Sequence, residues 1–402
     1  MDASTFVNFL RRQKFNDEGV SSITSQEQMK VEEHIFSIYR DFSLRYELDK
    51  SLPKLLKWEH AKFLITSLSN LPGTYECLDA SRTWMCYWIL HALSLLNIKL
   101  PEDIKDAVIE FLKKCQQPDG GFGGGPGQYS HLATTYAAVN SLCIIGSQKA
   151  YDAIDREALQ KFIWDLKSPD GSFRMHRNGE VDVRGAYCAI SVATLTNIHT
   201  KELFEKTANW IVSCQTYEGG FSGYPGTEAH GGYTFCGIAS LILLNKGCLC
   251  DSSALLRWLV NKQMKLEGGF QGRTNKLVDG CYSFWQGAIF SLVNVLINKN
   301  NVYHSCLLLS EEALQRYILV CCQHSGGGLL DKPGKPRDIY HTCYTLSGLS
   351  VAQHSKREAN IVGSSENELA ETHPLYNITP DMVLKALTYF GQLEIPNTKS
   401  NL

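Results

Sequence analysis

The chain has 402 residues, 44% of them hydrophobic, with a formal net charge of −2. That composition supports a large core and gives no global attraction to nucleic acid or to an anionic membrane, so any anion site has to be built locally. The apolar runs are too short to span a bilayer, and neither end carries a secretory core or a lipidation box, which predicts no stable membrane anchor.

Residues 1–50 read as a polar, partly helical arm. Residues 51–350 read as one domain organised by a repeat, and residues 351–402 as a polar loop, over 353–372, followed by a last helix packed on that domain. Thr379-Pro380-Asp381 supplies the cap and first turn of this helix, which is expected to run through Phe390. The 14 cysteines contain no Cys-x-x-Cys pair and read as reduced thiols of a cytoplasmic protein. Cys86, Cys143, Cys188, Cys236 and Cys343 lie in apolar helical stretches, as packing residues do.

The repeat is a Gly-aromatic loop. It occurs as Asp119-Gly120-Gly121-Phe122, Asp170-Gly171-Ser172-Phe173, Glu218-Gly219-Gly220-Phe221 and Glu267-Gly268-Gly269-Phe270, with a weaker copy ending at Leu329-Leu330. The four Phe anchors are 51, 48 and 49 residues apart; the step of 60 to Leu330 implies an insertion around 298–310. Fourteen residues after each anchor stands an aromatic: Tyr136, Tyr187, Phe235, Phe284 and Tyr344. A period near 50 suits a two-helix unit. Segments before the loops (101–117, 155–167, 200–215, 310–323) are amphipathic, whereas those after them (132–145, 233–244, 282–297) are apolar all round. Half-wet helices alternating with fully buried ones predict two concentric layers. Residues 71–96, with Trp88 at the aromatic position, read as a degenerate first unit. The expected fold is therefore all-α, a six-hairpin α/α barrel; a linear solenoid would not need such aromatic inner helices.

Equivalent positions in such a ring share one height. Three residues before the recurring aromatic stand Cys281 and His341, in adjacent units, and Asp279 lies two before Cys281. Asp, Cys and His converging on one point are competent zinc ligands that leave a fourth position open, the catalytic pattern. Spacing alone serves equally a core cysteine, a capping aspartate and a hydrogen-bonded histidine; the shared height favours the metal. His230, Arg273, Lys276, Lys332, Arg337, Arg184 and the hydroxyl of Tyr282 cluster near the same mouth, beside helix N-termini, as a site for a multivalent anion would. Lys276 taken alone reads as a solvated surface lysine. Trp84, Trp88, Tyr136, Tyr187, Tyr233, Trp285, Tyr340 and Tyr344 sit at or near the inner faces. Part of this set is ordinary core, and the rest suits a long apolar ligand.

Four stretches then carry a resemblance: 120–128, 228–236, 268–286 and 331–341, the last containing Asp331-Lys332-Pro333-Gly334-Lys335-Pro336-Arg337. They strongly resemble the β subunits of the protein prenyltransferase family, of the farnesyl-transferring kind, from about Ser25 through the final helix. The resemblance implies that Asp279, Cys281 and His341 hold one zinc ion and that His230, Arg273, Lys276 and Tyr282 hold the diphosphate of farnesyl diphosphate. Arg184, Trp84, Trp88, Tyr187, Trp285 and Tyr340 would line the isoprenoid and peptide sites, and Asp331 would assist magnesium at the diphosphate. It also implies an α-subunit partner and substrate proteins ending in a C-a-a-X box. A type II terpene cyclase would need an Asp-x-Asp-Asp motif, which is absent, and a non-enzymatic toroid would need neither metal group nor cationic rim. The nearest rival is the geranylgeranyl-transferring kind, which carries smaller residues at the Trp84 position. Where the ring closes, Trp84 is expected near Tyr344, shortening the well to suit the farnesyl chain.

Overall fold

In each loop one glycine, the first of the four Phe-anchored copies and Gly327 of the weaker one, holds a left-handed backbone and presses against the start of the next outer helix. A Cβ on Gly120 would stand 1.9 Å from the Ala158 carbonyl oxygen, on Gly219 2.1 Å from that of Ala254, on Gly268 2.6 Å from that of Ala313, and on Gly327 1.9 Å from that of Glu59. Only glycine meets both demands, φ between +83 and +107 and backbone in contact with backbone. A glutamine just before the loop fastens the same joint. Gln215 donates through Nε2 to the Gly219 and Asp251 carbonyls and accepts from Asp251 N at 3.0 Å. Gln116 bridges to Asp155, and Gln263 to Ser310, in the same way. Gln323 bridges to Lys54 and Leu56, which joins the last unit to the first.

The computed structural model describes residues 3–298, 309–356 and 358–396. The outer helices are Lys57–Ser69, Glu102–Cys115, Arg156–Leu166, Thr207–Ser213, Ser252–Val260 and Glu311–Cys321. The inner ones begin with Arg82–Leu95, Leu132–Ile145, Val183–Leu195 and Gly231–Leu243, and close with the fifth and sixth units. The fifth is split into Tyr282–Trp285 and Gly287–Asn298, and the sixth is Ile339–Gln353. Each inner helix packs on the next, and the sixth returns to the first, so the units form a closed ring. Layering follows composition. Leu132–Ile145 is buried on almost every side, while Glu102–Cys115 buries only Val108, Ile109, Leu112 and Cys115. Every described cysteine is a free thiol, and no described helix is long and apolar enough to cross a membrane.

Several expected boundaries move. The helix expected over 282–297 breaks at the buried Gln286, whose amide turns back to the Gln271 carbonyl. Of 200–215 only Thr207–Ser213 is α-helical, because Lys206 takes φ +66 and stops the turn before it. The insertion expected around 298–310 lies largely outside the described residues. The arm consists of Ala3–Gln13 and Ile23–Leu48, and the second helix buries Ile35, Phe36 and Tyr39. The last helix runs Pro380–Gly391, as its cap signal predicts. The end of the polar loop expected over 353–372 is packed inward, with Asn367, Leu369 and Thr372 buried, and the residues after it, Tyr376, Asn377 and Ile378, are buried too. Tyr87, Tyr136 and Tyr187, from three consecutive inner helices, donate their hydroxyl protons to the carbonyls of Asn377, Tyr376 and Leu375 at 2.8, 3.0 and 2.7 Å. This segment therefore crosses the inner ring and closes one end of it.

The two demands on the loop glycine can be separated by substitution. Gly219→Ala meets both a positive φ and the Ala254 carbonyl, whereas Gly226, at φ +86, has open space where its Cβ would go. Gly226→Ala should cost about 1–2 kcal/mol of stability, the left-handed penalty alone, and Gly219→Ala about 1–3 kcal/mol more. Thermal unfolding of the two variants checks the order; equal midpoints would remove the close approach as a constraint.

Candidate active site

The fifth and sixth units meet through backbone. Gly280 N donates to the Asp331 carbonyl at 2.7 Å, which sets the start of one inner helix against the loop of the next unit. Asp279 caps this junction by accepting from Cys281 N at 2.9 Å. His341 lies in the first turn of Ile339–Gln353, where Asp338 accepts both its backbone N–H, at 2.7 Å, and Nδ1–H, at 2.6 Å. With Nδ1 bonded to Asp338, Nε2 is the ring nitrogen turned towards Asp279, 3.2 Å from Oδ1. One ligand atom from each of Asp279, Cys281 and His341 falls within 4.8 Å of the others, a group that can hold a metal ion.

The electrostatics of the group fit a cation. Burial pushes the Cys281 thiol well above its ordinary range, and the neighbouring Asp279 charge adds to this. Burial alone would raise the Asp279 carboxyl too, but His341 and the Cys281 backbone bring it below the usual value. Burial opposes a charge on His341, yet its contacts with Asp279 and Asp338 outweigh it and lift the imidazole to about 10. Nε2 is buried without a hydrogen-bond partner; Asp279 Oδ1 is 3.2 Å away but off the line a bond requires. A metal cation where the three ligand atoms meet would take the place of the Nε2 proton and stabilise the Asp279 carboxylate and an ionised Cys281 together, and the donor set is the N, O and S set of zinc.

Beside this group stands the rim. His230 caps Gly231–Leu243 by accepting from Gly232 N at Nδ1, so the proton sits on Nε2, 2.9 Å from the Tyr282 hydroxyl. Burial, then the Arg273 charge, lowers its pKa and keeps the ring neutral. Tyr282 thus accepts from His230 and has its own proton to offer outward. Arg273 pairs with Glu228 at 2.8 Å, half exposed, and Lys276 is exposed beside it. Asp331 pairs with Lys332, and its pKa is raised by burial and then by Asp279. Arg184 is held by Asp182 through Nε and Nη2 at 2.9 and 2.6 Å and lies 5.8 Å from the Tyr233 ring centroid. Arg337 leaves the expected rim: its guanidinium is tied to the Gly326 and Gly327 carbonyls and lies over Phe63.

Trp84, Trp88, Tyr233, Trp285 and Tyr340 are only half-buried although they lie on inner helices, so they face an open axial space. Trp285 donates through Nε1 to the Tyr340 hydroxyl at 3.1 Å, and Trp88 meets Tyr340 edge-on at 5.4 Å. Tyr187 and Tyr344 are buried behind this wall. The expected pairing of Trp84 with Tyr344 is not present among the described ring contacts. Trp84 packs on Tyr87, Trp88 and Tyr136, while Tyr344 stacks on Trp285 at 4.4 Å and leans on Phe284 and Tyr340. The reason is that Trp84 leans towards its second-unit neighbour Tyr136, leaving Trp88 to meet the sixth-unit Tyr340 across the seam. Asp338, Asp182 and Glu228, which position His341, Arg184 and Arg273, were not singled out from sequence. Asp338 and Asp182 announce themselves only as acids two or three residues before a helical site residue.

Comparison with known proteins accords with this architecture. The profile of the family described as "Prenyltransferase alpha-alpha toroid domain" matches residues 55–378. The chain is 39% identical to the protein farnesyltransferase subunit beta of Arabidopsis thaliana, over 94% of this chain and 92% of that one. It is 43% identical to the subunit of the same name from Schizosaccharomyces pombe, over 83% and 90%. Among solved structures, the geranylgeranyltransferase-I of Candida albicans complexed with GGPP shares the fold, with a TM-score of 0.70 at 24% identity over 83% of this chain and 98% of that one. By fold, by length of match and by sequence, the chain belongs to the protein farnesyltransferase β-subunit family.

Proposed function

We propose that this chain is the catalytic subunit that moves the farnesyl group of farnesyl diphosphate onto the cysteine thiol of a C-terminal CaaX sequence, working with a prenyltransferase α subunit. One observation carries the reading: the Asp279–Cys281–His341 group, the His230–Tyr282–Arg273 rim and the half-buried aromatic wall meet at one mouth of the ring. A zinc ion held by Asp279, Cys281 and His341 supplies a Lewis acid that lowers the acceptor thiol's pKa from about 8.5, so that it is ionised at neutral pH.

The chain's own residues do the rest. The aromatic wall of Trp84, Trp88, Tyr233, Trp285 and Tyr340, backed by Tyr187 and Tyr344, excludes water and packs the isoprenoid, and its ring faces tolerate positive charge developing at the first farnesyl carbon. The thiolate sulfur bonds to that carbon as the carbon–oxygen bond breaks, and the electron pair leaves with the diphosphate. Tyr282, its hydroxyl oriented by neutral His230, donates to the diphosphate oxygens, and Arg273 and Lys276 meet the growing charge. Glu228 holds Arg273 ready without cancelling it, since both are half exposed. Asp331 would assist a magnesium ion accompanying the diphosphate, whose charge would ease its repulsion with Asp279. Arg184, fixed by Asp182 beside the Tyr233 ring, would line the isoprenoid and peptide sites.

Three outcomes follow. Cys281→Ala in the αβ enzyme should lose most of its zinc and nearly all transfer while still binding the lipid diphosphate; full activity without that thiol would show the metal group to be misassigned. Asp331→Ala should raise the magnesium concentration needed for half-maximal rate, and an unmoved magnesium titration removes Asp331 from the site. Trp84→Thr should raise the use of geranylgeranyl relative to farnesyl diphosphate by roughly tenfold or more, since an overpacked isoprene costs about 1–3 kcal/mol. A wild-type enzyme that already prefers the longer lipid would favour the geranylgeranyl-transferring reading.

A further inference from the structure

The helix Ile23–Leu48 belongs to no repeat, yet its polar contacts converge on one residue of the fifth unit. Tyr39 donates its hydroxyl proton to the Glu267 carbonyl at 2.7 Å, and Gln28 donates through Nε2 to Glu267 Oε1 at 2.8 Å and to Glu32 Oε1 at 3.1 Å. Phe15 N donates to Glu32 Oε2 at 2.8 Å, folding the chain before the helix back onto it. Glu267 and Glu32 are 1% and 4% exposed, so two buried carboxylates share one amide at this joint. Such groups are costly to bury unless their partners are in place.

The other repeats show that this arrangement is particular to the fifth. The acid before the first loop glycine is satisfied within the repeats elsewhere: Asp119 by Gly121 N and Ser130, Asp170 by Ser172, and Glu218 by Ala229 N and, at 3.4 Å, by Thr274 of the next unit. Glu267 instead takes its side-chain partner from the arm. From Glu267 the chain runs directly through Arg273 and Lys276 to Asp279. A cavity of about 450 Å³ next to this contact is lined by Phe15, Asp17 and Gln28 of the arm and by Asn275, Lys276 and Leu277 of that turn. Further along the same helix, Lys30, Val31 and His34 border Pro333 across a cavity of about 230 Å³, in the turn that follows Asp331 and Lys332. One helix thus spans the two turns that carry the candidate diphosphate and magnesium residues.

We infer that the N-terminal arm is a positioning brace for the diphosphate half of the site, with Gln28 and Tyr39 setting the Arg273–Lys276 turn through Glu267. This rests on the functional reading above. It assigns the arm no part in holding the metal ion or the peptide. The test uses the full-length chain with its α subunit, farnesyl diphosphate and a CaaX peptide. Gln28→Leu and Glu267→Leu should each raise the KM for farnesyl diphosphate roughly tenfold, within the ~10²-fold that a 1 Å misplacement can cost. The Ki of inorganic pyrophosphate should rise in parallel, while zinc content and the peptide KM stay at wild-type values. Glu267→Gln, which keeps an acceptor for Gln28, should restore the wild-type KM. Tyr39→Phe, which removes one hydroxyl and keeps the ring, should move the KM in the same direction by less. Unchanged KM and Ki in the Leu variants and in Tyr39→Phe overturn the brace, as does a uniform loss of zinc, peptide and lipid use, which marks a folding contact only. A wild-type enzyme that fails to use any lipid diphosphate overturns the functional reading instead.

Discussion

The ring depends on one close approach, the loop glycine whose backbone touches the first turn of the next outer helix. A side chain at that point would hold successive units apart. Without one, each unit meets the next at the same offset, and the glutamine before the loop fastens the joint at both donor and acceptor. Equal offsets around a closed ring put equivalent residues at equal heights. That is why Cys281 and His341, 60 residues apart, become neighbours. The metal group is thus a product of the repeat's regularity, with Asp279 added from the loop that the regular joint presents.

Charge is distributed around the mouth with little cancellation where chemistry is needed. The acids Asp279 and Asp331 sit together and are each perturbed by burial or by one another, whereas Arg273, Lys276 and Tyr282 stand towards solvent with proton donors facing outward. The positions of these groups are set by hydrogen-bonded neighbours: His230 orients Tyr282, Asp182 holds Arg184, and Asp338 holds the ring of His341. Each of these supports is within three residues of a helix start, where side-chain caps and backbone N–H groups already need acceptors.

What was legible in the sequence was whatever the repeat made periodic. The Phe anchors, the aromatic fourteen residues later and the alternation of wet and dry helices led to the layered ring and to the pairing of Cys281 with His341. The joint glutamines recur too, six or seven residues before every anchor but Phe173, where Lys167 stands instead, but their spacing has meaning only once the backbone they reach is known. Features that join distant parts of the chain left no local mark. The contacts of Tyr136 and Tyr187 with the Tyr376 and Leu375 carbonyls span 240 and 188 residues. The break at Gln286 depends on a side chain finding a carbonyl in the preceding loop rather than on helix propensity. Trp84 went to Tyr136 because neighbouring rings compete for its faces, a packing outcome that register alone does not rank.

The closed end of the ring is made by a segment outside the repeats. Three tyrosines of the inner wall end on main-chain carbonyls of residues 375–377, and backbone carbonyls are present whatever side chains that segment carries. The closed end and the reactive mouth are therefore encoded in separate stretches of the chain. Changes in the stopper's side chains can accumulate while its hydrogen-bonded seat survives, independently of the residues that perform the transfer.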